Sequence, residues 1–123
     1  MRRLVCLALA CGVVAAVGWQ LLPRHDEALY KACDHLAYDA PDYSRVKAWD
    51  AYAHTIDGWP RPADPGARAI LETLRTDATR YGAFPAAIHS PRALKRQAVK
   101  NALGRDEGHL YDACRRDGWQ MHV

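Results

Sequence analysis

Two short stretches, LYKAC (29–33) and LYDAC (110–114), place a cysteine four residues after a leucine near each end of the polar part of this chain. Side chains four apart share one face of a helix. A leucine that points into a core therefore takes its cysteine with it. In an oxidising compartment two such thiols pair. The loop between Cys33 and Cys114 spans 81 residues. Closing a loop of that length stabilises a fold by about 4.5 kcal/mol on chain-entropy grounds. Whole domains are stable by only about 5–15 kcal/mol. A staple of this size decides whether a small, alanine-rich core suffices. The expectation is a helical bundle whose first and last helices are locked together.

The sequence carries its own argument for an oxidising compartment. Residues 1–23 read MRRLVCLALACGVVAAVGWQLLP, with Arg2 and Arg3 followed by no charge until Arg24. The run Leu4–Leu22 would span about 28 Å as a helix, close to the hydrocarbon thickness of a bilayer. Positive charge before the run orients the N-terminus inside and the domain outside. Two readings stand. Small residues at Val14-Ala15-Ala16 or Ala16-Val17-Gly18 suit cleavage of a signal peptide. An apolar stretch continuing to Leu22, with Trp19 at the interface and Pro23 as a stop, suits an uncleaved anchor. Cys6 and Cys11 lie inside this run and are expected to be inert. The segmentation is thus 1–23 as anchor or signal and 24–123 as one extracytoplasmic domain. The protein is placed at the membrane, or in the periplasm or medium if cleaved.

The domain is built of helices with clear punctuation. Gly58, Gly82, Gly104 and Gly118 each follow a helix-like run, where glycine gives a left-handed stop. Asp64-Pro65 and Ser90-Pro91 each put a capping side chain before a proline at the first helical position. Asp106-Glu107 places acids at a positive helix end. Apolar residues recur every three or four positions over about 26–38, 42–57, 65–81, 91–103 and 106–117. The fold class is all-α: an N-terminal transmembrane or signal helix, then a four- to five-helix bundle closed by one disulfide. Two linkers, GWPRPADPG (58–66) and GAFPAAIHSP (82–91), separate the middle helices.

Catalytic patterns are missing. No His-Glu-x-x-His occurs among the histidines, and no Gly-x-Ser-x-Gly or glycine-rich phosphate loop is present. Asp50 with His54, and His35 with Asp39, share helix faces and read as surface contacts rather than half of a metal site. Ser90 is a cap. With Cys33 and Cys114 bridged, no thiol is left in the domain as a nucleophile. No glutamate pair suggests a glycosidase cleft. The expectation is a protein that is not an enzyme and that holds neither metal nor cofactor.

Charge narrows the partners. Residues 24–59 sum to −3 and residues 60–123 to +4, so the domain is nearly neutral and carries no nucleic-acid signature. Arg92, Lys95, Arg96 and Lys100 recur at three- and four-residue spacing, which puts them on one side of a helix. That side is either a solvated back or a contact for an acidic partner or anionic lipid. Trp59, in a stiff proline-rich loop, is either an anchor for a partner or a lid folded back on the core. These five residues are the partner-binding candidates. They give a membrane-tethered or secreted helical binding protein, of accessory, inhibitory or immunity type, docking on an envelope or membrane protein. In layout the chain resembles the mycobacterial haemophore-like proteins, which are short exported helical domains with end helices joined by one disulfide. That resemblance implies a carrier of haem or lipid as the alternative, and it assigns no axial tyrosine or histidine. An envelope-active enzyme is the third reading.

Overall fold

The structure, a computed structural model, describes residues 26–85 and 91–121. The apolar segment 1–23 and the Ser90 cap lie outside the described residues. Within them the protein is all-helical: α1 (Glu27–Asp39), α2 (Ala48–Asp57), α3 (Pro65–Gly82) and α4 (Arg92–Arg116). Among the described residues no helix is long and apolar enough to cross a membrane.

The described residues hold four helices, the lower end of the expected four to five, because Gly104 does not stop a helix. The buried side chains Val99, Leu103, Asp106, Leu110, Ala113 and Cys114 continue at three- and four-residue steps straight through it. A helical glycine costs about 1 kcal/mol relative to alanine. Unbroken burial of a stripe this long outweighs that. Asp106 and Glu107, expected at a helix start, therefore sit in mid-helix. A second difference is the start of α2. It begins at Ala48 rather than near 42, because Asp42 draws the backbone into turns. Its side chain accepts from Ser44 N at 3.3 Å and its carbonyl from Arg45 N at 2.9 Å.

Of the four glycines read as left-handed stops, only Gly118 has a positive φ, at 98°. It closes α4 as a Schellman motif: Trp119 N donates to Cys114 O at 2.9 Å and Gly118 N to Arg115 O at 3.0 Å. Gly58 keeps a right-handed φ of −84°. Gly82 serves close approach instead. A Cβ there would lie 2.3 Å from the backbone nitrogen of Asp50, so α2 and α3 touch main chain to main chain at this point.

Helix α3 packs against α2 and α4, and α1 packs against α4. The centre is aromatic. Trp49 is fully buried, stacked on Tyr43 at 5.3 Å between ring centres and met edge-on by Tyr52 and Tyr81. Asp26 ties one end together. It caps α1 by accepting from Leu29 N, and its other oxygen accepts from Ala63 N and Asp64 N in the proline-rich linker. Its own N–H donates to Asp117 Oδ2 at 2.8 Å, just past α4. Cys33 and Cys114 are fully buried and lie at disulfide distance, with Cα atoms 6.7 Å apart.

Candidate functional site

A concavity lies on the seam between the end of α3 and the first half of α4. Its origin is local. Helix α3 ends at Gly82, while α4 runs for 25 residues and extends beyond it. Along that stretch α4 offers Ala98, Val99 and Ala102, too small to fill the space. Phe84 and Pro85 close the far wall, leaving a groove of about 630 Å³. Three cations rim it: Arg80 from α3, and Arg92 and Lys95 from α4. The arrangement is an apolar floor under positive charge, which suits an occupant both apolar and anionic.

The basic face expected on α4 is split. Arg92 and Lys95 flank the core-facing Val99 on one side, and Arg96 and Lys100 on the other. The second pair borders a more polar depression of about 470 Å³ with Asp42, Tyr43, Tyr81 and Gln97. Lys100 Nζ stands 5.4 Å over the Tyr43 ring, and Arg96 donates to the Pro85 carbonyl at 3.4 Å. On the outer surface of α4, Leu94 is 72% exposed. Spacing alone grouped the four cations. The core stripe between them separates the two pairs.

Trp59 is a core side chain. It is 7% exposed, stacked on His35 at 5.2 Å and edge-on to Tyr52 at 5.8 Å. Its ring is turned inward onto the core. His35 also pairs with Asp39 at 2.9 Å on exposed surface. His54 meets the backbone carbonyl of Asp50, not its carboxylate. Among the described residues no three metal-ligating side chains converge.

The burial of two acidic groups escaped the sequence reading. One turn along the seam from the groove, Asp77 on α3 and Asp106 on α4 are each only 7% exposed. Asp77 Oδ1 accepts from Arg80 at 3.2 Å. Asp106 Oδ2 is buried with no partner. Burial, then a hydrogen bond and repulsion from Asp77, push the Asp106 carboxyl up to about 7. Farther along α4, the Tyr43 hydroxyl donates to the Glu107 carboxylate. Burial raises Glu107, and its hydrogen bond from Tyr43 partly opposes that. Tyr43 is raised in turn by burial and by the neighbouring Glu107.

A signal for the acid pair existed. Asp77 occupies the register of Leu74, Ala78 and Tyr81, where a charge is out of place on an apolar face. Asp106 occupies the register of Leu103 and Leu110. An expected helix break at Gly104 hid that register.

Comparison with known proteins finds no match to any family model, to any curated protein or to any solved structure.

Proposed function

We propose that this protein is a small extracytoplasmic binding protein, tethered by or released from its N-terminal segment, that docks an acidic, apolar segment of an envelope protein in the α3–α4 groove. The observation carrying this reading is the groove itself: an apolar lining of Ala98, Val99, Ala102 and Phe84 with Arg80, Arg92 and Lys95 around it. An occupant that matches it buries apolar area and presents carboxylates to the rim.

The position of the groove supports a protein over a bilayer surface. Asp26, which follows the apolar segment closely in sequence, is fastened beside Asp117 at the C-terminal end of α4. The groove opens at the N-terminal end of that helix, whose 25 residues measure about 37 Å. With the chain anchored through residues 1–23, the groove lies at the end of α4 opposite the tether.

A second reading rests on the groove's volume. Small-molecule sites run to about 300–1,000 Å³, and 630 Å³ falls inside that range. A carrier of an anionic amphiphile, its chain on the floor and its head at the rim, is the alternative.

Site-specific photocrosslinking from Ala98 in living cells tests both. The expected product is one adduct whose mapped peptide mixes Asp or Glu with apolar residues, lost when Arg92 and Lys95 are both replaced by Glu. A fatty acid or lipid adduct in the mass spectrum selects the carrier. Absence of any adduct from Ala98, with crosslinks elsewhere intact, removes the groove from both readings.

A further inference from the structure

The acid pair and the groove share one seam. Arg80 on the rim is one helical turn from Asp77, and Ala102 on the wall is one turn from Asp106. Asp77 holds Arg80 through one carboxylate oxygen, and its negative charge acts on the buried Asp106 carboxyl across the seam. A carboxyl buried near a second one resists ionisation. Ionised, Asp106 would bury a charge whose Oδ2 has nothing to meet it. The charged groups that act on Asp106 are Asp77 from α3, with Arg80 behind it, and on α4 itself Arg105, which favours ionisation, and Glu107, which opposes it.

Resting on the groove reading above, we propose that binding of an acidic segment in the groove is proton-linked through the Asp77–Asp106 pair. With Asp106 protonated, Asp77 and Arg80 balance each other, and Arg92 and Lys95 leave the rim positive. With that proton lost, the seam carries an extra negative charge beside the Asp77–Arg80 pair and repels the occupant's carboxylates at that end of the groove. By linkage, an acidic occupant holds the proton in place and the proton holds the occupant. Affinity falls as pH rises through neutrality.

The test uses the full chain in nanodiscs of zwitterionic lipid, with a rhodamine-labelled synthetic amphipathic helix of leucine and glutamate as probe. Wild type is expected to bind about threefold tighter at about pH 6 than at about pH 8, the effect of one added charge about a helix diameter from the rim. Asp106→Asn, neutral throughout, is expected to keep the tight value at both. A flat wild-type profile, or an Asp106→Asn profile as steep as wild type, overturns the proton linkage and leaves the groove standing. Failure to bind at either pH, or binding indifferent to charge reversal of Arg92 and Lys95, overturns both. Carbon NMR of the Asp106 carboxyl in the unmutated chain gives a second readout: titration in the ordinary carboxylate range near pH 4 sinks the linkage whatever the variant does.

Discussion

Cys33 Sγ lies 3.5 Å from the carbonyl oxygen of Leu110, and Cys114 Sγ lies 3.3 Å from that of Leu29. Each sulfur thus rests on the backbone of the leucine that precedes the other cysteine by four residues. The matching stretches LYKAC and LYDAC are two halves of a local, nearly two-fold contact between α1 and α4. The two tyrosines extend it. Tyr30 donates to the Asp117 carbonyl just past α4, and Tyr111 stacks on Trp119 at 5.6 Å.

This clasp closes an 81-residue loop. Replacing both cysteines by alanine is expected to lower the unfolding free energy by about 3–4 kcal/mol. Urea unfolding of oxidised and double-alanine proteins measures it. Titration of the unfolded, unreduced protein should find no free thiol at positions 33 and 114. A loss below about 1 kcal/mol would mean that the bundle does not depend on the bridge.

Two glycines on successive helices should respond to alanine with opposite sign. At Gly82 the added Cβ would lie 2.3 Å from Asp50 N and 2.7 Å from its Cα, which are backbone atoms and cannot swing aside. Separating α2 from α3 there is expected to cost about 2–3 kcal/mol. At Gly108, inside α4, nothing lies within 4 Å of the new methyl group. Gly108→Ala is expected to stabilise by about 0.5–1 kcal/mol through helix propensity alone. Thermal unfolding of the two variants gives the comparison directly.

Asp106 makes stability depend on pH in an unusual direction. Its carboxyl is raised from 3.8 to about 7 in the folded protein. Between those values the folded state keeps a proton that the unfolded state has released. The contribution is complete below about pH 4, declines as pH rises towards 7, and is gone above it. The interval converts to a ceiling of about 4 kcal/mol, and relaxation around the ionised group brings the expected change to about 2 kcal/mol. Asp106→Asn removes it, so the variant should be the more stable protein at pH 8 by about that amount. Urea midpoints of both proteins across pH 5–8 measure the difference, and parallel curves would rule it out.

Much of this architecture was legible because its causes are local. Asp64 reads as a cap and is one, accepting from Ala67 N at 2.8 Å. The cysteine register led to the clasp because leucine at i and cysteine at i+4 leave one orientation for both. What was not legible depended on neighbours distant in sequence. Gly104 had every local mark of a stop, yet the stripe from Val99 to Cys114 carries α4 through it. Gly82 is small because Asp50, 32 residues earlier, presses its backbone against it. The four cations of α4 have one spacing but two surroundings, decided by where α3 ends. The groove follows from the same fact and has no signature in either helix alone.

Trp59 gives the sharpest separation of scaffold from docking surface. It leaves α2 in a loop rich in proline, a common setting for an exposed anchor. Here its ring instead covers His35 and Tyr52, and Pro62 beside it is fully buried. Truncation to alanine is expected to cost about 3–5 kcal/mol of stability, as for other buried large aromatics. Its Nε1 is buried without a partner, beside a void of about 30 Å³. Trp59→Phe removes that orphan donor along with part of the ring, so its net loss should be smaller, about 1–2 kcal/mol. Neither variant touches the α3–α4 groove. Folded Trp59→Phe protein should therefore bind the leucine–glutamate helix as wild type does, while reversal of Lys95 and Arg92 weakens binding and leaves the urea midpoint unmoved. If Trp59→Phe unfolds normally but loses the helix, Trp59 belongs to the contact surface, and the placement of docking in the groove is wrong.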